Sequence, residues 1–384
     1  NAQIVEAVKD GRIPEEFLDK MVDNVLTVIM KSKEVLGDYT YDKDAHHQKA
    51  REIAGQCMVL MKNDNNALPI KKDAKIALIG EMARTPRYQG AGSSLINPIK
   101  LDSAYDTLKE MGADFTFAAG YTLKGKNKKA NEMVAEAVNN AKNADVALVF
   151  VGLTDDYETE GNDRSHINLP PIHNTLVEEV LKVNPNTIVV LSGGASVTMP
   201  WADKVPAILN MFLTGQAGGS AVCDIIFGDV NPSGKLAETY PIALEDNSSY
   251  NFFPGTSVSV EYRESVYVGY KYYDTAKKEV AFPFGHGLSY TTFEYSDVKV
   301  SSDKIKDTDT VTVSFKIKNT GAVDGAEVAQ IYVNDVESTI YRPVKELRAF
   351  KKVFLKAGEE TEVSVELDKR AFAYYNVELG DWHV

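Results

Sequence analysis

The sequence predicts an α/β domain built on a mostly parallel sheet, followed by an all-β sandwich. Two patterns carry that expectation. Between about 46 and 240, short apolar runs such as "KIALIG" (75–80), "DVALVFVGL" (145–153) and "TIVVLSGG" (187–194) alternate with amphipathic helical segments, as βαβ units do. From about 293 the period changes to two: Val311, Val313, Phe315 and Ile317 alternate with polar residues in "TVTVSFKIKNTG", which marks short antiparallel strands. At 384 residues the chain also exceeds what one core usually serves.

Taken in order, residues 2–9 and 14–30 read as helices. Pro14 suits the first helical position and Glu15 and Glu16 suit the helix dipole. Phe17, Leu18, Met21, Val22, Val25 and Ile29 form an apolar stripe that needs a surface to pack on. A polar linker follows, and then a third helix at about 45–62 with Ala50, Ile53, Ala54, Cys57 and Leu60 on one face. Strands at 75–80, 114–120, 145–153, 187–194 and 207–212 are spaced by helices at 103–111, 130–143, 172–183 and 218–228. The domain reading is 1–36 terminal helices, 37–45 linker, 46–245 α/β domain, 246–292 connecting segment rich in Asn, Ser, Gly and Tyr, and 293–384 β-sandwich, short of seven comfortable strands. The chain lacks an initiator Met, and both ends are expected to be cut.

A net charge of −13 argues against nucleic acid or an anionic membrane as partner, and leaves neutral ligands such as sugars open. No apolar run approaches the roughly 18–20 residues of a membrane span. The two cysteines, Cys57 and Cys223, sit in apolar helical patterns and read as small buried hydrophobes, which favours a reducing, cytoplasmic location.

Ligands of doubly wound sheets collect beyond the carboxyl ends of the strands. Two loops qualify: "EMARTPRYQGAGSSLINP" (81–98) and "DDYETEGNDR" (155–164), the second packing five acidic residues into ten. On pattern alone the acidic loop is either a solvated loop or a catalytic acid. "QGAGSS" lacks the glycine spacing of a dinucleotide fingerprint, and "GDVNPSGKL" (228–236) places Leu236 where a phosphate loop needs Ser or Thr. The six histidines show no zinc spacing, and Ser196 has no nucleophile-elbow glycines, so no metal, no cofactor and no serine-hydrolase chemistry is expected.

"ETEGNDRSHINLP", then "GQAGGSAVCDIIFGDVNPSGKLAETYP", then "FPFGHGLSYTTFEYSDV" resemble glycoside hydrolase family 3, the β-glucosidase family; "AVKDGRIPEEFLDKMVDNVLTVI" is similar to the helix closing that family's N-terminal barrel. The resemblance implies a (β/α)8 barrel supplying an Asp nucleophile, an α/β domain supplying a Glu general acid/base, and a fibronectin type III-like sandwich. Only the last scrap of the barrel is in this chain, and no nucleophile segment is. By resemblance Glu160 is the acid/base, with Glu158 the runner-up; the adjacent Asp163 and Arg164 read as a structural ion pair shaping the loop. Arg87, Gln89, Gly90, Gly92 and Ser93 would wall the sugar site. Tyr262, Tyr267, Tyr270, Tyr272 and Tyr273 either stack on sugars or pack between domains. The implied function is part of a retaining β-glucosidase acting on β-glucosides and cello-oligosaccharides. Its partner is a barrel portion, possible as a separate chain, and a homo-oligomer is possible. The alternatives are a non-catalytic carbohydrate-binding or assembly module, and β-xylosidase specificity.

Overall fold

The structure is a computed structural model that describes residues 1–125 and 128–384. Its first compact unit, 1–46, holds α1 (Ala2–Lys9) and α2 (Glu15–Glu34). Pro14 precedes α2, Glu15 and Glu16 lie in its first turn, and Lys31 and Lys33 lie in its last, each complementing the helix dipole. Yet α2 buries no residue, and Phe17, Met21 and Val25 are 57%, 63% and 59% exposed.

The second unit, 47–384, contains both sheet systems. Helix α3 (Lys43–Cys57) begins inside the segment read as linker and is shorter than the sequence suggested. Residues read as its last turn form strand β1 (Val59–Asn63). The run "MVLM" is apolar on every side, as a strand buried on both faces requires, and periodicity alone does not separate that from a buried helix. Ile53 and Cys57 are consequently exposed, correcting the expected stripe and the buried-cysteine reading of Cys57; Cys223 is buried.

The α/β elements continue as β2 (Ile76–Ile79), α4 (Ala104–Glu110), β3 (Phe115–Ala118), α5 (Ala130–Lys142), β4 (Val146–Gly152), α6 (Pro171–Leu181), β5 (Thr187–Ser192), β6 (Ala207–Asn210) and α7 (Gly218–Ile226). The strand order is β1-β6-β5-β4-β2-β3, parallel throughout except for antiparallel β1 against β6. Every residue of β2, β4, β5 and β6 is buried, which explains their unbroken apolar runs. From β2 the chain moves outward to β3, and from β4 it moves the other way to β5 and β6. The order therefore reverses between β2 and β4.

Behind the end of β4, Nδ1 of buried His173 on α6 accepts the Gly152 N–H at 3.2 Å, and its ring lies 3.9 Å from that of Tyr121. Tyr121 donates to the Phe150 carbonyl at 2.7 Å. Burial pushes the imidazole down to about 3.

The short strand β7 (Tyr240–Pro241), just before the connecting segment, pairs with β8 (Val280–Phe282) inside it, and α8 (Tyr270–Ala276) lies between them in sequence. The connecting segment then closes the edge of β1: the Leu288 N–H donates to the Leu60 carbonyl at 2.8 Å. There "GHG" is a packing requirement, since a Cβ on Gly287 would meet the Gly234 carbonyl oxygen at 2.2 Å. Beyond it lie β9 (Phe293–Val300), β10 (Val311–Asn319), β11 (Gly325–Val333), β12 (Glu346–Leu355), β13 (Glu360–Leu367) and the ribbon β14 (Tyr374–Asn376) with β15 (Asp381–His383). The sheets β13-β10-β9 and β11-β12 enclose a second core including Phe315, Ile317, Ile331, Leu355 and Val363. "GDVNPSGKL" joins the two: Asn231 donates to the Asp324 carbonyl and accepts from Ser289 and Tyr290, and Lys235 pairs with Glu327 at 3.0 Å.

Two stability measurements test this account. A Cβ on Gly152 would stand 1.7 Å from the Ser192 carbonyl oxygen, so Gly152→Ala is expected to cost at least about 2 kcal/mol in urea unfolding. His173 has a folded value depressed to about 3 against roughly 6.5 in the unfolded chain. Below that upper value the unfolded state binds the extra proton. Stability is therefore fully present above about pH 6.5 and falls by roughly 1.4 kcal/mol per unit as pH drops towards 3. His173→Gln should remove that increment from the slope; an unchanged slope contradicts a neutral buried imidazole.

Candidate active site

The reversal between β2 and β4 leaves their two carboxyl-end loops, 81–98 and 153–168, side by side. That is where open α/β sheets bind ligands. The loops are joined by one side chain. Arg87 is almost fully buried; its Nη1 donates to the Leu153 carbonyl at 3.1 Å and to the Glu158 carboxylate, its Nη2 donates to the Glu158 carbonyl at 2.7 Å, and its Nε lies 3.4 Å from Asp155. The Glu158 carboxylate also accepts the Gly194 N–H at 3.0 Å, which adds the loop after β5. A Cβ on Gly194 would sit 2.8 Å from Glu158 Oε1, so a side chain there would displace the carboxylate.

Glu160 is placed differently. Thr159 and Asn162 form an isolated antiparallel bridge, so Glu160 and Gly161 are the tip of a tight turn. Glu160 is exposed, and its backbone N–H donates to the Ala91 carbonyl at 3.2 Å. Its Oε2 accepts the Ser93 N–H at 2.8 Å and the Ser93 hydroxyl. Those two donors hold the carboxyl below the usual glutamate range.

The residues expected to wall a sugar site occupy one loop but not one role. Arg87 is committed to bracing, and Gly92 and Ser93 face Glu160. Gln89 and Gly90 line a cavity of about 230 Å³ with Tyr88, Leu95 and Asp155. A cavity of about 950 Å³ lies along His166, Asn168, Thr198, Glu245 and Tyr250 and includes neither Glu158 nor Glu160. The expected Asp163–Arg164 ion pair does not form. Asp163 is exposed, while Arg164 turns inward among Glu158, Glu238, Arg87 and Tyr240 with a buried Nη1 lacking a hydrogen-bond partner. Glu238, whose carboxyl burial pushes up, was missed; "LAETYP" reads as an ordinary turn-to-strand passage, and only the fold carries it under the loops. The tyrosines divide as well: Tyr262 is 90% exposed, Tyr273 is buried, and Tyr270 stacks on Phe284. Among the described residues no group of three or more His, Cys, Asp or Glu could hold a metal ion.

The sequence and the fold of this chain recur in known proteins. Residues 58–290 match the glycosyl hydrolase family 3 C-terminal domain, and residues 327–384 match a fibronectin type III-like domain. The thermostable beta-glucosidase B of Acetivibrio thermocellus is 50% identical over 386 residues, covering all of this chain and 51% of that protein. An exo-alpha-(1->6)-L-arabinopyranosidase of Bifidobacterium breve is 45% identical over all of this chain and 52% of its own length. The crystal structure of a GH3 beta-glucosidase from Bifidobacterium adolescentis superposes with a TM-score of 0.94 at 46% identity, covering 100% of this chain and 56% of that one. The chain thus spans about half the length of the curated relatives it matches. With the family 3 C-terminal domain matched over residues 58–290 and half its residues shared with such a relative, the chain belongs to glycosyl hydrolase family 3.

Proposed function

We propose that this chain contributes the general acid/base and one wall of the sugar site of a retaining β-glucosidase, whose Asp nucleophile is carried by a barrel portion outside these residues. One observation carries the reading. Of the two glutamates suggested by resemblance, Glu158 is consumed by Arg87 and Gly194, whereas Glu160 is offered at the tip of a turn at the sheet's reversal. Relatives named beta-glucosidase support the glycosidase class, and the exposed apolar face of α2 is the surface such a barrel would cover.

In the first half-reaction Glu160 gives its proton to the glycosidic oxygen as the nucleophile displaces it. In the second half-reaction the carboxylate takes a proton from the attacking water. Retention requires the two carboxyl groups about 5–5.5 Å apart. Glu160 must then be protonated near neutral pH, against the pull of Ser93. A closing barrel that excludes water and brings a second carboxylate supplies both influences that raise a carboxyl.

In the barrel-containing protein, Glu160→Gly should cut turnover of cellobiose by roughly 10²- to 10⁴-fold and that of aryl glucosides far less, because aryl leaving groups need little protonation. Unchanged cellobiose turnover ends the reading, and parallel assays on aryl xylosides and arabinopyranosides identify the sugar. The 384-residue chain alone should give no calorimetric signal with glucose or cellobiose. Binding without the barrel would favour a non-catalytic carbohydrate-binding module.

A further inference from the structure

The loop 81–98 holds more than a sugar-facing wall. Three consecutive residues, Ala91, Gly92 and Ser93, all address one side chain across the gap between the two carboxyl-end loops. The Ala91 carbonyl accepts the Glu160 N–H at 3.2 Å and so fixes the turn that carries the glutamate. Gly92 adopts φ +112°, and an added Cβ there would stand 2.7 Å from both Cβ and Oε2 of Glu160. A glycine in the left-handed region is thus what lets the backbone approach this closely. Ser93 then presents two donors, its N–H at 2.8 Å and its hydroxyl, to the same oxygen, Oε2. Among the described residues no Lys, Arg or His forms an ion pair with Glu160; the pairs in this region go to Asp155 and Glu158.

From this geometry we propose that Ser93 is a positioning residue that sets the proton affinity of Glu160, holding its carboxylate in the substrate-free protein and releasing it when the sugar's leaving group arrives. The inference rests on the reading of Glu160 as the acid/base. Its chemistry is asymmetric. The backbone N–H can only donate, so it favours the ionised carboxyl and opposes a protonated Oε2. The hydroxyl adds a second donor to the ionised form. The cradle therefore depletes the protonated form from which the first half-reaction starts and populates the ionised form from which the second starts, at the cost of making that carboxylate a weaker base. Gly92 and Ser93 accordingly shape the acid rather than the sugar.

The test begins on the 384-residue chain itself, without reference to activity. Carboxyl carbons of glutamate are labelled with ¹³C, the Glu160 signal is assigned by its loss in Glu160→Gln, and the titration is followed by NMR. In the unaltered chain Glu160 should titrate below the ordinary glutamate range. Ser93→Ala should move its midpoint upward, and Ser93→Thr, which keeps both donors, should restore it. Equal midpoints in the unaltered chain and Ser93→Ala overturn the cradle. A second measurement separates this from the assignment of Glu160. In the barrel-containing protein the alkaline limb of kcat/KM reports the acid of the free enzyme, and that of kcat reports the acid of the complex. Ser93→Ala should move the first limb to higher pH and leave the second in place. Movement of both limbs alike means that Ser93 is not released and overturns that part of the proposal. If the NMR midpoint moves and neither limb follows, the cradle stands and Glu160 is not the acid.

Discussion

The candidate site hangs on one guanidinium. Arg87 is buried among the carboxyl-end loops, and its contacts with the Leu153 carbonyl, both ends of Glu158, and Asp155 draw the loop after β4 against the loop after β2. The Gly194 N–H on Glu158 adds the loop after β5. A buried charge is tolerated only when it is paired and hydrogen-bonded, and losing one partner typically costs about 3–5 kcal/mol. The pair therefore fixes these loops to one another strongly, although it adds little net stability over an apolar equivalent. Everything placed beyond it, including the Glu160 turn and the Ala91–Ser93 cradle, inherits its position from this anchor.

The same neighbourhood shows how partners divide labour among carboxylates of similar sequence context. Glu158 and Glu160 are separated by one residue, yet one lies on a guanidinium and a backbone N–H while the other lies exposed against a serine. Glu238 approaches from a distant segment, and burial raises its carboxyl rather than lowering it. Inward-turned Arg164 sits between Glu158 and Glu238 in place of the surface ion pair with Asp163 that adjacency suggested. A charge cluster that looks uniform in one dimension thus separates into a brace, Glu158, a presented acid, Glu160, and an inward-turned Arg164.

Away from the site, the segment "GDVNPSGKL" has a mechanical role. Asn231 uses its amide oxygen for Ser289 and Tyr290 and its amide nitrogen for Asp324, and Lys235 reaches both the Gly287 carbonyl and Glu327. A Cβ on Gly287 would meet the Gly234 carbonyl oxygen at 2.2 Å, and one on Gly234 would meet the Met58 and Cys57 carbonyl oxygens at 2.4 and 2.5 Å, so both positions require glycine. This joint ties the α/β sheet, the connecting segment and the antiparallel domain together, so the resemblance to a phosphate loop has a packing explanation.

What the sequence determined by itself is the order and type of most elements. The parallel strands read directly because both their faces are buried and their apolar runs are continuous, and the antiparallel domain read directly because its strands alternate. β1 escaped for the same physical reason: a strand with no polar face carries no period that separates it from a buried helix turn. The acidic loop was legible as a place, since it follows the longest apolar run, and resemblance singled out two glutamates within it. Tertiary structure alone decided their surroundings. Which carboxylate meets Arg87, which meets Ser93 and whether Arg164 faces Asp163 depend on residues roughly 70 positions apart that meet only when the strand order reverses between β2 and β4. Hydrogen bonds and burial are properties of distance, and distance across a sheet is not written in local sequence.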